Sequence, residues 1–351
     1  MAEKVIIMII DITAHWNNYF EAFPPEKKDV YFTEQYVKLY ETATEKAECF
    51  VCQEGEKVLL FPFLARTFGF LGKQYKDFET AYGYGGPVYN CEDSDFAIRA
   101  LAAFKSYCSE NNYVAGFVRF HPLFQNQAGF ETIGRVIEDR KTVAINLDQT
   151  MDEVWKNEIH SKNRNMIRKA EKAGCTFLVD DNYEHLKEFI NLYDSTMDKL
   201  SADGFYYFDD VYYENLKRGI TDSFLGCVQN NEGQIISAAI FMYSGPYGHY
   251  HLSGSDKSQL AISPNNFMLW NAAIELQKRG VKRFHLGGGT NGDEENSLYL
   301  FKRRFSKDTC QFCIGKLVYN QELYDAICVE WEEKNPEKVE HYKHHLLKYK
   351  Y

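Results

Sequence analysis

The residues best suited to chemistry in this sequence lie between Phe284 and Phe305. An apolar run, Phe284-His-Leu, leads into Gly287, Gly288 and Gly289, then Thr290-Asn-Gly. Beyond a polar loop, Ser297-Leu-Tyr-Leu-Phe-Lys-Arg-Arg-Phe305 carries Lys302 among aromatics. Glycines at a strand end let a backbone approach a ligand closely and expose N–H groups to an anion or a developing oxyanion. A lysine just past such a loop can stabilise negative charge on a donor or a transition state. The expected arrangement is an oxyanion or donor loop, Gly287 to Gly289, with Lys302 as its catalytic cation. The same residues also fit a plain turn followed by a surface lysine. Asp293, Glu294 and Glu295 on the loop, or His285 and His251 near strand ends, are candidate general bases. Three acidic residues in one loop are more often simply solvated.

A second group of charges is basic. Met151 to Gly174 reads as one long helix holding Trp155, His160, Lys162, Arg164, Arg168, Lys169 and Lys172. Arg164 and Arg168 are four apart and share a helix face, which suits a bidentate grip on phosphates. A solvated connecting helix, with Glu158 and Glu171 supplying ion pairs, is the plainer alternative. Farther on, Pro264 to Arg279 reads as a helix, with Ser263 as cap, Pro264 in the first turn and Gly280 as stop. Its first turn, including Asn265, offers N–H groups to an anion.

The elements that must position these residues recur. In the first half, the amphipathic stretch Thr33 to Thr44 leads to a hairpin over Glu48 to Phe63 turning at Gly55. The loop Ala81-Tyr-Gly-Tyr-Gly-Gly-Pro87 follows, then a helix from about Asp93 to Asn111 and a strand over Tyr113 to Phe120. In the second half, a helix over Asp209 to Gly219 leads to a hairpin over Phe224 to Met242. A strand over Gly248 to Leu252, helix 264–279 and a strand over Lys282 to Leu286 complete the series. Two copies of a mixed, mostly antiparallel sheet flanked by helices are the simplest architecture.

Composition agrees. At 351 residues two domains are the prior, and 45% hydrophobic residues can fill two cores. With 25 Tyr and 26 Phe the chain suits β-rich packing. A formal charge of −10 argues against broad nucleic-acid binding, though not against a local basic groove. Mean hydropathy of −0.45 and the lack of a long apolar run predict no transmembrane segment. Val5 to Ile10 is too short for a signal peptide and reads as a strand. The expected location is cytoplasmic. The 9 cysteines form no disulfide framework. Cys49/Cys52 and Cys310/Cys313 have C-x-x-C spacing but sit in strand-like runs, where residues three apart face opposite ways. They read as reduced core residues, and no metal is expected.

Taken in order, three motifs carry a resemblance. The Tyr-Gly-Tyr-Gly-Gly-Pro loop, His160-Ser-Lys-Asn-Arg-Asn-Met-Ile-Arg-Lys-Ala-Glu-Lys-Ala-Gly174, and Leu-Gly-Gly-Gly with Leu-Phe-Lys-Arg-Arg-Phe resemble the Fem (FemAB/FemX) peptidyltransferase group. They also resemble related bacterial acetyltransferase-like proteins of the GNAT superfamily. The resemblance runs from about Val30 to about Val318. It implies an α/β (α+β) fold of two tandem GNAT-like domains with one active cleft. Residues 1–150 would be the acceptor-side domain. Residues 151–351 would hold the basic connecting helix, the donor-side domain and C-terminal helices.

The implied activity is transfer of an acyl or aminoacyl group to an amine of an envelope precursor. The donor would be acyl-CoA or aminoacyl-tRNA, with no permanently bound cofactor. The acceptor would be a nucleotide-linked or lipid-linked precursor of peptidoglycan or polysaccharide. By similarity, Lys302 would stabilise charge near the donor ester, and Arg164 and Arg168 would meet phosphates. Tyr82, Tyr84 and Gly86 would border the acceptor. Two departures stand out: Ser263-Pro-Asn-Asn266 replaces the usual GNAT pyrophosphate signature, and no sustained heptads mark a coiled-coil insertion. The basic segment Lys343 to Lys350 reads as a solvated tail helix, or as a contact for tRNA or an anionic membrane surface. The alternative function is a non-catalytic binding module for a phosphorylated ligand or partner, with Lys302 as a binding charge only.

Overall fold

The run Val58-Leu-Leu-Phe-Pro-Phe-Leu-Ala65 has no polar alternation, so it needs cover on both faces, and all eight residues are buried. A computed structural model describes residues 8–200 and 203–351. The chain divides into two compact units. One takes residues up to Asp139 together with Phe312–Tyr351; the other is Arg140–Gln311. The division expected at residue 150 thus falls earlier, and the C-terminal segment returns to the first unit.

The first unit contains β1 (Met8–Thr13), β2 (Glu45–Glu54), β3 (Lys57–Phe70), β4 (Lys73–Glu79), β5 (Val88–Tyr89) and β6 (Tyr113–Arg119). The strand expected over Val5 to Ile10 is seen from Met8; Val5 to Ile7 lie outside the described residues. Strands β1 to β4 run antiparallel in sequence order, β4 and β6 are parallel, and β5 pairs with β3. Gly55, at φ +62°, makes the β2–β3 turn. Helix α1 (Ser94–Glu110) starts where Asp93 accepts a bond from the Phe96 amide. It lays Phe96, Ala100, Leu101, Phe104 and Cys108 onto the sheet. Phe104 meets Phe50, Phe61 and Phe78 at ring distances of 5.1, 4.6 and 5.5 Å, so the high phenylalanine content is spent on this core. Within the amphipathic stretch Thr33 to Thr44, the α-helical part is the short turn Glu34–Lys38.

The second unit begins inside β7 (Arg135–Asn146) and adds β8 (Thr176–Asp180), β9 (Ser223–Gln229), β10 (Ile235–Ser244), β11 (Tyr247–Ser255) and β12 (Arg283–Gly288); β13 (Thr309–Val318) starts in it. Strands β8 to β11 form an antiparallel meander, and β11 and β12 are parallel. Its main helices are α2 (Ser161–Lys172), α3 (Leu186–Leu200), α4 (Asp210–Gly219), α5 (Pro264–Lys278) and α6 (Ser297–Arg303). Helix α5 buries Phe267, Met268, Leu269, Ala272, Ala273 and Leu276 against the sheet.

The wiring is the same twice: an antiparallel meander, a helix, then one parallel strand. In each unit an antiparallel strand from far along the chain closes that parallel step. Residues 314–318 of β13 pair with β6, and residues 142–146 of β7 pair with β12. This exchange is why the C-terminal segment belongs with the first unit.

The segment expected as one helix over Met151 to Gly174 is three pieces. A helical turn at Met151–Glu153, held by a Thr150/Glu153 capping box, runs into a π-helical turn at Val154–Glu158. The chain then straightens at Ile159 and His160 before α2. The break arises because His160 caps α2 with its ring, Nδ1 accepting from the Lys162 amide, while its own amide bonds the Arg304 carbonyl at 2.8 Å.

Beyond β13, helix α7 (Gln321–Lys334) leads to the basic C-terminal segment. That segment is not a solvated helix. Lys350 pairs with Glu45 and Glu79, Lys348 pairs with Glu332, and the Trp331 indole donates to the Tyr351 carbonyl. All nine cysteines are free thiols. Among the described residues no helix is long and apolar enough to cross a membrane.

Candidate active site

Helix α6 is only seven residues long, and its start is tied to the glycine turn. The Asn296 side-chain oxygen accepts from the Leu298 and Tyr299 amides, and its amide nitrogen donates to the Thr290 hydroxyl at 2.7 Å. A Cβ on Gly289 would lie 2.6 Å from that Asn296 oxygen, so glycine lets the turn close on the cap. Helical side chains lean toward the N-terminus, and Lys302 does so. Its Nζ donates to the Gly288 carbonyl at 2.8 Å and stands 5.9 Å from the centre of the Tyr250 ring.

Lys302 is 8% exposed, and its hydrogen-bond partner is a carbonyl rather than a carboxylate. Burial first, and the Arg140 charge second, bring its ammonium group down to about 7. Arg140 itself donates to the Gly289 carbonyl at 3.0 Å. Two cations therefore hold two successive carbonyls of the turn. Because Gly287 and Gly288 still pair with Val143 and Thr142 in the sheet, after a register shift behind His285, it is the carbonyl side of the turn that meets the lysine. The N–H groups of Gly287 to Gly289, expected to line an oxyanion site with Lys302, are not what the lysine touches.

The candidate bases separate by environment. Asp293, Glu294 and Glu295 are exposed; Asp293 accepts from the Glu295 amide, and Glu294 pairs with Lys141 at 2.6 Å. His251 bonds the Tyr212 hydroxyl at 2.9 Å. Burial, with His249 beside it, drops the His251 imidazole to about 3, so it stays neutral near pH 7 and is a weak proton acceptor. His285 is buried with its ring 5.9 Å from that of His249.

Arg164 and Arg168 do different jobs. Arg164 Nη1 donates to the carbonyls of Trp155, Lys156 and Ile159 at 3.1, 3.3 and 2.6 Å, closing the end of the π-helical turn. Arg168 lies over the Trp155 ring at 5.3 Å, and Trp155 packs on Trp270 at 4.8 Å. Arg164→Ala is expected to lower unfolding free energy by about 1–3 kcal/mol through three abandoned carbonyls; an unchanged urea midpoint would show that the cap is idle.

At the start of α5, Ser263 has φ +63° and makes no capping bond; its hydroxyl turns to the Met166 sulfur at 3.1 Å. The Asn265 oxygen accepts from Ser237 and Ser255, both at 2.6 Å. In the first unit, Tyr36 donates to the Tyr82 carbonyl at 2.8 Å, and Tyr84 packs edge-on against Tyr31 at 5.3 Å. Gly86, at φ +89°, lies where a Cβ would come within 3.1 Å of Phe120 and Asn126. Asn126 pins this loop by donating to the Gly85 and Pro87 carbonyls.

Three contributors escaped sequence reading. Asn296 had a usable signal, an N-cap residue type just before an aromatic helical run. Tyr250 was one ring in an aromatic strand. Arg140 had none, standing 149 residues from the glycine it holds.

Residues 159–302, all within the second unit, match the family model of the acetyltransferase (GNAT) domain. The second unit carries a GNAT acetyltransferase domain. No curated protein matches the chain. Among solved structures, the fold is similar to FemX, at 16% identity and TM-score 0.69, covering 92% of this chain and 100% of that one. It is also similar to L-PGS from Bacillus licheniformis, at 14% identity and TM-score 0.55, covering 86% and 91%. The C-terminal domain of a protein from Agrobacterium fabrum assigned as a lysylphosphatidylglycerol synthetase is similar at 13% identity and TM-score 0.54, covering 82% and 88%. The chain is thus Fem-like in fold, and its GNAT domain makes it an N-acyltransferase, with Lys302 as the last residue of the matched segment.

Proposed function

We propose that this protein moves an acyl or aminoacyl group from acyl-CoA or aminoacyl-tRNA to an amine of a cell-envelope precursor in the cytoplasm. The observation that carries this reading is Lys302, a buried amine on the Gly288 carbonyl, inside the matched GNAT domain. In the reaction a neutral acceptor amine attacks the donor carbonyl, forming a C–N bond and a tetrahedral oxyanion. The C–O or C–S bond then breaks, and the departing hydroxyl or thiol leaves with the proton the amine gives up. A protonated Lys302 supplies the charge that the oxyanion or leaving group needs, at a place where low dielectric strengthens it. The likeness to a lysylphosphatidylglycerol synthetase domain supports a lipid-linked acceptor, and the likeness to FemX supports a nucleotide-linked peptide.

The test is direct. Purified protein is incubated with isotopically labelled acyl-CoA or aminoacyl-tRNA and with UDP-linked muropeptides or anionic lipid. Mass spectrometry should show an acceptor heavier by one transferred group, joined through an amide. Donor and acceptor binding without any product would instead favour a non-catalytic binding module.

A further inference from the structure

We infer that Lys350 is a positioning residue for the acceptor: through Glu79, Arg119 and Thr80 it sets the place of the loop 82–87. This deepens the transferase reading, from which it takes Tyr82, Tyr84 and Gly86 as the acceptor's border. The series of contacts starts where two carboxylates share one ammonium group. Glu45, the first residue of β2, and Glu79, the last of β4, are both buried. Both pair with Lys350 Nζ, Glu45 at 2.6 Å. Glu79 also accepts from Arg119 Nη1 at 2.9 Å. Burial works against its charge, but Arg119 and Lys350 together hold its carboxyl below the usual carboxylate range. Each cation matters, because a buried carboxylate that loses a partner has little water to replace it.

The same Arg119 nitrogen holds the base of the loop. Nη1 donates to the Thr80 carbonyl at 2.7 Å, and the Arg119 amide donates to the Thr80 hydroxyl at 2.9 Å. The Thr80 amide in turn donates to the Phe117 carbonyl at 3.0 Å. Asn126 fixes the far end of the loop through the Gly85 and Pro87 carbonyls. The near end, residues 80–84, is therefore the part whose place depends on Arg119.

The network has room to respond. A cavity of about 190 Å³ lies beside it, with Glu79, Arg119, Leu347 and Tyr351 in its lining; a close-packed interior would leave displaced groups nowhere to go. The segment that brings Lys350 to the network is fastened separately. The Tyr324 hydroxyl donates to the Leu346 carbonyl at 2.7 Å, the Trp331 indole donates to the Tyr351 carbonyl at 3.0 Å, and Lys348 pairs with Glu332 of α7. Loss of the Lys350 charge alone thus leaves the segment docked and releases Glu79 and Arg119.

Two variants break the series at different links. Lys350→Met leaves Glu45 and Glu79 without their shared cation. Arg119→Lys keeps a positive charge, but its side chain is shorter and lacks the fork that reaches the Thr80 carbonyl. Glu332→Gln, which cuts the Lys348 pair and touches neither Glu79 nor Arg119, is the control. Melting curves check that all three fold. Hydrogen–deuterium exchange at residues 80–84 should quicken about 10-fold in Lys350→Met and Arg119→Lys and stay native in Glu332→Gln. In the transfer assay, run with the UDP-linked muropeptide or anionic lipid that gives product, KM for the acceptor should rise about 10-fold in the same two variants. That is the weight of one charge-assisted contact, and kcat and the donor KM should not change. A native acceptor KM in either folded variant overturns the proposal. So does an equal rise in Glu332→Gln, which would mean that loosening the segment is enough. If no donor and acceptor give product, exchange decides: faster exchange at residues 80–84 sinks the transferase reading alone, and native exchange sinks the positioning role as well.

Discussion

Lys302→Ala is expected to lower kcat/KM for acyl transfer by about 10²–10³-fold, the usual consequence of removing one charge-stabilising donor from a dry site. The fold should survive, because the side chain's hydrogen-bond partner is one carbonyl at 2.8 Å. Lys302→Arg should not restore activity, since a planar guanidinium does not replace a compact ammonium facing the Gly288 oxygen beside Tyr250. A pH profile gives the sharper reading. With Lys302 held at about 7 in the free protein, a required cation is lost as pH rises through that value. The kcat/KM profile should therefore fall above about pH 7, and that limb should vanish in Lys302→Ala. A limb that rises there would make Lys302 a proton acceptor and reverse its assigned role.

The same depressed value affects stability. Unfolded, this lysine keeps its proton up to about 10.5; folded, only up to about 7. Between those values the unfolded chain binds more protons, so stability rises with pH. Below pH 7 the buried charge exerts its full destabilising effect, and above 10.5 none. Lys302→Met should be more stable than the native chain by a few kcal/mol below pH 7 (about 1.4 kcal/mol per unit of depression). That margin should shrink as pH climbs toward 10.5. Equal urea midpoints at pH 6 would mean the ammonium group is better solvated than its 8% exposure implies.

Gly254→Ala should cause the largest loss of stability of any single methyl addition described here, about 3 kcal/mol or more. A Cβ on Gly254 in β11 would stand 2.3 Å from the Leu192 carbonyl carbon and from the Tyr193 amide nitrogen, both backbone atoms of α3. No rotamer change relieves a clash with backbone, so α3 must move off the sheet. The damage reaches the site as well, because β11 also carries Tyr250 under Lys302 and Ser255 on Asn265. Gly55→Ala is the control. It sits in open space, and its φ of +62° limits the loss to about 1 kcal/mol of left-handed strain. Comparable urea midpoints for the two variants would show that the α3–β11 approach is looser than its geometry.

The elements that sequence alone determined are those with a local signal. Asp93 before Ser94–Glu110, Pro264 and Gly280 around Pro264–Lys278, and Gly55 and Gly233 in the hairpin turns act through backbone angles and hydrogen bonds within a few residues. The glycine turn followed by Lys302 was legible for the same reason, as residue types at fixed spacing. The tertiary structure decided the rest. Nothing local in β7 or β13 tells which parallel step each will close, since their partners lie far along the chain and the choice rests on total pairing. Residue type could not show that Arg164 would close a π-helical turn, that Ser263 would turn from capping to Met166, or that Arg140 would reach Gly289. The acidity of Lys302 is the clearest case. It comes from loss of water around the amine and from a guanidinium 162 positions earlier, and both exist only once the chain has folded.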